Sequence, residues 1–135
     1  MGHPVSLYLA DACALIGFRR AAPRFPSTLR SLLQDEPDTV AVLATTVWEI
    51  AIKTARGKLA DIGDPRYPTL TDMLAAQGYV LLPFDHATAE QAANLPPLHA
   101  DPFDRALAAA AAQRTGRTVP TSDRAIAGYG VPVRW

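Results

Sequence analysis

Residues 99–123 read HADPFDRALAAAAAQRTGRTVPTSD. Asp101 before Pro102 is the pattern of a helix N-cap followed by proline at the first helical position. The alanine-rich run Ala106 to Ala112 favours a helix continuing to about Arg114, with Gly116 past its end. Thr118 to Thr121 then reads as a short strand, weakened by Pro120. The segment therefore sets Asp101 and Asp104 at the start of one helix and Asp123 at the end of the strand that follows it.

Upstream, the same alternation repeats. Val5 to Ala10 is an apolar run of strand length ended by Asp11, and Ala12 to Phe18 reads as a short helix. Ser27 or Thr28 is suited to cap a helix through about Leu33 that carries Leu29, Leu32 and Leu33 on one face. Val40 to Ala44 is a second buried strand, followed by a helix from Val47 to Arg56 that Gly57 closes. A loop over 58–68 leads to a helix near Thr69 to Gln77. A third strand spans Tyr79 to Phe84, and a helix capped by Asp85 runs from His86 to Asn94. After Asp123, a helical turn to Ala127 and an edge strand over Val131 to Arg134 complete the chain. Alternating strands and helices predict an α/β fold with a mainly parallel sheet. Ligands of open parallel sheets bind beyond the carboxyl ends of the strands. Asp11 and Asp123 fall at such ends, and Glu49 and Asp104 are expected in the first turns of helices, so all four can share one edge.

The 135 residues, 49% of them hydrophobic, suffice for one domain with its own core, taken here as residues 1–135. No run of roughly 20 apolar residues offers a membrane span, and the N-terminus lacks the layout of a signal peptide. Cys13 is the single cysteine, so an internal disulfide and a thiolate-rich zinc site are excluded. A cytoplasmic protein is expected. The net charge is zero, from 13 cations and 13 acids. Setting aside Asp11, Glu49, Asp104 and Asp123 leaves nine acids against those 13 cations, a surplus compatible with a nucleic-acid partner and equally with an ordinary solvated surface. Eleven of the cations are arginine, the side chain best shaped for bidentate phosphate contacts.

Carboxylates brought together repel unless they take up protons or a divalent cation neutralises them. Oxygen-only ligation suits Mg2+ or Mn2+, which activate water for in-line attack on a phosphodiester. Each acid also has a structural reading. Thr46 and Glu49 match a capping box, Asp101 is an N-cap, Asp104 favours the helix dipole, and Asp123 caps the turn after it. Asp11, a lone carboxylate ending a buried strand, is the hardest to explain structurally. Cys13 reads as a small buried residue and His99 as a structural histidine. Arg105 and Arg124 either hold RNA phosphate or balance the carboxylates.

Four blocks together resemble a PIN-domain ribonuclease, specifically the toxin of a VapBC-type toxin–antitoxin pair: YLADACALI at 8–16, TTVWEIAIK at 45–53 with GKL at 57–59, LPPLHADPFDR at 95–105, and TSDRAIAGYGV at 121–131. The resemblance spans nearly the whole chain. It implies a PIN-like three-layer α/β/α fold with a mainly parallel sheet of four to five strands. It also implies an Mg2+- or Mn2+-dependent endoribonuclease whose catalytic and metal-binding acids are Asp11, Glu49, Asp104 and Asp123. Asp101 and Thr46 (or Thr45) are implied as auxiliary residues, beside Arg105 and Arg124, which as neighbours of proposed ligands are the candidate RNA contacts. The implied partners are an RNA substrate, a VapB-like antitoxin and a second copy in a homodimer. Two positions depart from the pattern. Ala12 stands where a hydroxyl residue usually follows the first Asp, and Pro120 interrupts the last strand before Asp123. Two alternatives stand beside this reading. One is a PIN-like binder of RNA or a partner that cuts weakly or not at all. The other is a receiver-like Mg2+-binding signalling domain, disfavoured because no lysine follows the fourth strand.

Overall fold

The computed structural model describes residues 8–57, 62–98, 100–113 and 117–135. Strand β1 (Tyr8–Ala10) leads into helix α1 (Ala12–Arg19), followed by α2 (Ser27–Asp35), β2 (Val40–Leu43), α3 (Ala44–Ala55), α4 (Leu70–Ala76), β3 (Val80–Leu82), α5 (His86–Asn94), α6 (Pro102–Ala112), β4 (Val119–Pro120), a 3-10 turn over Arg124–Tyr129, and β5 (Val133–Arg134). The predicted starts of the first strand at Val5 to Leu7, His99, and the end of the alanine-rich helix at Arg114 to Gly116 lie outside the described residues.

The strands pair in parallel. The main sheet has the order β1-β2-β3, with Leu9 opposite Ala41 and Val42 opposite Leu81. β4 and β5 form a separate parallel pair. The predicted sheet of four to five strands is thus a three-stranded ladder and a two-stranded one, joined among the described residues by one parallel bridge between Tyr8 and Thr118. Pro120 supplies the reason. Val119 and Thr121 donate their N–H groups to Pro132 and Arg134 of the β5 side, at 2.9 and 3.0 Å, while Thr118 accepts from Leu9 at 3.0 Å. The next N–H facing β1 belongs to position 120, and proline has none.

Strand alternation divides the core into two layers. Ala10, Val40 and Val42 pack against α1, α2, α4 and Ile50 of α3. Leu9, Ala41 and Leu43 pack against α6, β4 and the 3-10 turn, where Ile126 is buried. This is the predicted α/β/α sandwich. Six consecutive residues of α6, Ala106 to Ala111, are buried. Small side chains let this helix seat against the sheet on one side and α5 on the other while keeping high helix propensity.

Asp101 caps α6, accepting from Phe103 N–H at 2.8 Å, with Pro102 first in the helix. Asp85 caps α5 and Thr69 caps α4. Gly57 closes α3 at φ +68, a left-handed conformation costly for other residues. Two expectations are corrected. Helix α2 starts at Ser27 behind Pro26 with no side-chain cap, so neither Ser27 nor Thr28 is a cap. Helix α3 starts at Ala44, not Val47, because β2 runs directly into it with Leu43 at the cap position. Thr46 therefore lies inside the helix, and the capping box with Glu49 does not form. Among the described residues no helix is long and apolar enough to cross a membrane.

The two layers meet at β2, and a cavity there is expected to cost far more than one on its exposed neighbour. Leu43→Ala, fully buried, should destabilise by about 2–5 kcal/mol. Leu81→Ala, at 39% exposure, should cost under about 1 kcal/mol in the same urea titration.

Candidate active site

Asp11 leaves the carboxyl end of β1 and caps α1, its Oδ1 accepting Ala14 N–H at 2.8 Å. Only 6% of the residue is exposed. Cys13 Sγ donates across both carboxylate oxygens, 3.1 Å from each, and the Thr121 hydroxyl adds a further hydrogen bond. Burial raises the Asp11 pKa above the ordinary carboxylate value, helped weakly by the charge of Glu49. The donors from Thr121, Ala14 and Cys13 oppose it. Burial, together with the Asp11 charge, pushes the Cys13 thiol up to about 11. It remains a protonated donor and is no nucleophile at neutral pH.

Glu49 lies in the second turn of α3, not the first, because the helix begins three residues earlier than the sequence predicts. Its Oε2 accepts from Lys53 Nζ at 2.7 Å in an i,i+4 ion pair. That hydrogen bond raises the Lys53 pKa, and the charges of Asp101 and Asp104 add to it. Asp104 lies in the first turn of α6, one turn from the cap Asp101. Asp123 follows β4 and caps the 3-10 turn, accepting from Ala125 N–H at 2.9 Å and giving its own N–H to Thr121 Oγ1 at 3.0 Å. Thr121 thus links the backbone of Asp123 to the carboxylate of Asp11.

These pieces share one cleft. Asp11, Glu49, Asp101, Asp104 and Asp123 line a hollow of about 220 Å3, with Lys53 and Ser122 on its wall. Five acidic residues and one lysine therefore line it. Among the described residues no three His, Cys, Asp or Glu side chains stand close enough to be a ready-made metal cage. The donors are nonetheless all hard oxygens of the kind Mg2+ and Mn2+ take. Burial outweighs the three donors around Asp11 and raises its pKa.

The remaining predicted residues lie elsewhere. Thr46 is buried in α3 and does not line the cleft. Thr45 faces a hollow beside Trp48 and Phe84, and its buried hydroxyl has no hydrogen-bond partner among the described residues. Arg105 turns away from the acids and donates to the carbonyls of Ala93, Leu95 and Pro96 at 2.8–3.2 Å, tethering α6 to the segment after α5. Arg124 is exposed at the start of the 3-10 turn. Lys53 and Thr121 carry no site role in the sequence reading, and Cys13, expected as a small buried residue, is only part-buried and donates to Asp11. The spacing of Glu49 and Lys53 is a legible i,i+4 signal. The Cys13 and Thr121 contacts join residues 108 positions apart, which no local pattern reveals.

The PIN domain family model matches residues 8–131. The chain belongs to the PIN-domain family. PIN domains are generally metal-dependent nucleases, and they usually use Mg2+ or Mn2+. No curated protein matches the chain. Among solved structures, FitAcB from Neisseria gonorrhoeae is similar at TM-score 0.67 and 21% identity, covering 93% of this chain and 95% of that one. FitAB bound to the IR36 DNA fragment is similar at TM-score 0.63 and 20% identity, covering 94% and 93%. At these identities the likeness to both is one of fold.

The electrostatics of this PIN domain give a signed expectation. A carboxyl whose pKa is raised by folding destabilises the folded state once the pH exceeds its unfolded value, 3.8. Asp11→Asn keeps the cap acceptor and removes the charge. In EDTA at pH 7 its melting temperature should exceed that of the wild type. The gap should close as the pH is lowered toward 3.8; a gap that is constant with pH, measured by circular dichroism melts, would refute the assignment.

Proposed function

We propose that this PIN-like domain is an Mg2+- or Mn2+-dependent endoribonuclease, the toxin of a toxin–antitoxin pair of the VapBC type, acting in the cytoplasm. The observation that carries the reading is the single cleft in which Asp11, Glu49, Asp101, Asp104 and Asp123 meet. They arrive from the ends of two parallel strands and from two helices, the edge where open α/β sheets bind ligands.

Asp11, Glu49, Asp104 and Asp123 would hold the divalent cation, with Asp101 auxiliary because one of its oxygens caps α6. When bound, the cation supplies a water of lowered pKa and positive charge beside the phosphodiester. The chain's own residues do the positioning. Ala14 N–H, Cys13 and Thr121 fix the Asp11 carboxylate, and Ala125 N–H fixes Asp123. The hydroxyl that Ala12 lacks is replaced by Cys13, a weaker donor reaching both Asp11 oxygens. That replacement favours catalysis over the inactive-binder reading, whose sequence support was Ala12 alone. Pairing with Lys53 keeps Glu49 from facing its neighbouring acids uncompensated.

The similar folds of FitAcB and of FitAB bound to a DNA fragment support a partner protein for this chain as well, here a VapB-like antitoxin. A basic residue of such a partner would suit the acid cleft. A homodimer completes the proposed assembly, with RNA as its substrate.

Induced expression of the wild type should arrest growth and create new RNA 5′ ends, read by sequencing. Asp11→Asn and Asp104→Asn should lower cleavage in vitro by more than about 100-fold, beyond the loss expected for residues that only support ligands, while remaining folded. Full cleavage by both variants would sink the reading.

A further inference from the structure

The carboxylate cleft continues into a second hollow of about 460 Å3 between α3 and the start of α6. Glu49, Lys53 and Asp101 line both. Along α3 the wall is Glu49, Ile52, Lys53 and Arg56, one helix face at spacings of three, one and three residues. It extends about 10 Å along the helix axis. The opposite wall includes Phe103, whose ring is set nearly perpendicular to Trp48, at 77° with centroids 5.3 Å apart. The lining thus changes along its length from acidic to apolar to basic. Lys53 stands at the junction with 46% of its side chain exposed. Arg56 is exposed and makes no ion pair among the described residues.

A ligand that satisfies this wall carries a flat apolar group beside an anion. Phe103 and Ile52 offer apolar surface to a ring, and Lys53 and Arg56 offer charge to a phosphate. A purely apolar peptide would leave Arg56 unanswered, Lys53 being already paired with Glu49, whereas an aromatic side chain next to basic residues is the pattern that binds single-stranded nucleic acid. We infer that this hollow holds the nucleotide adjoining the cleaved phosphodiester, its base against Phe103 and its phosphate on Arg56 and Lys53. The inference rests on the ribonuclease reading and adds the direction in which the strand leaves the acids. It further requires the RNA to be unpaired there, since a base stacked within a duplex cannot reach a side-chain ring. Stacking on an aromatic face tolerates any base, so this position contributes affinity and little sequence preference.

The test uses the full chain carrying Asp104→Asn to suppress turnover, with labelled octamers of ribouridylate and riboadenylate, in Mn2+ and over a salt series. Phe103→Leu keeps apolar bulk and removes the aromatic face; it should weaken octamer binding about 5- to 150-fold. Arg56→Gln should reduce the slope of log K against log salt by about 0.7, the loss of one single-strand phosphate contact. Made with Asp104 intact, neither change should alter Mn2+ affinity; Arg56→Gln should leave the melting temperature unchanged, and Phe103→Leu should lower it only by the lost ring contact with Trp48. Wild-type binding and an unchanged salt slope in both variants would overturn the inference, while cleavage by the unmutated chain would leave the ribonuclease reading standing. If the unmutated chain neither binds nor cuts RNA, both fall. If the variants instead change sedimentation with octamer affinity unchanged, the hollow is a protein contact and the inference is wrong.

Discussion

Asp11 ends a buried strand with 6% of its surface exposed, and an ionised carboxylate in that position needs compensation. The neighbourhood supplies it from three directions: the N-terminus of α1 through Ala14 N–H, the Cys13 thiol, and the Thr121 hydroxyl. None of these donors carries a full positive charge, and burial still outweighs them in raising the Asp11 pKa. The surrounding architecture keeps several such groups together despite their repulsion, and three of them are fixed by local devices: Asp101 and Asp123 by capping, Glu49 by its lysine.

The sheet makes this possible because its strands are parallel. Their carboxyl ends lie on one edge, so acids distant in sequence meet without long loops. The sheet's division into a three-stranded and a two-stranded part also bears on the site. Among the described residues, β4 pairs with β1 through one bridge before Pro120, and beyond it the backbone is held on the β5 side, through Thr121 N–H to Arg134. Thr121 then turns its hydroxyl to Asp11 while accepting the N–H of Asp123. A proline that looks like a flaw in a strand thus marks the place where the chain leaves the sheet to build the cleft. The alanine-rich α6 serves the same end from the other layer, since its small side chains seat its capped N-terminus close to the sheet edge.

Much of this was legible in the sequence. The apolar runs gave the strands, and Asp101-Pro102, Asp85 and Thr69 marked helix starts that the structure contains. What was not legible came from tertiary context. Nothing local in Leu43-Ala44-Thr45-Thr46 says that a strand passes straight into a helix; the threonines invite a cap, and the packing of α3 against α1, β2 and α6 overrides them. Pro26 likewise starts α2 one residue before the hydroxyl expected to do so. Cys13 looked like filler because its partners, Thr121 and Ser122, are more than a hundred residues away.

Lys53 shows how a weak interaction acquires meaning from its place. An exposed i,i+4 pair contributes about 0–1 kcal/mol to stability, and on most helices it would deserve no further thought. Here the carboxylate is Glu49, 13% exposed and facing four aspartates in one hollow, while the ammonium is 46% exposed at the mouth of the next. A lysine bound strongly would lock Glu49 and exclude other cations; one bound weakly compensates charge and still exchanges. Its four-carbon stem lets the ammonium move without disturbing α3. The pair thus matters for where it places a cation, between the carboxylates and the neighbouring hollow, more than for its energy.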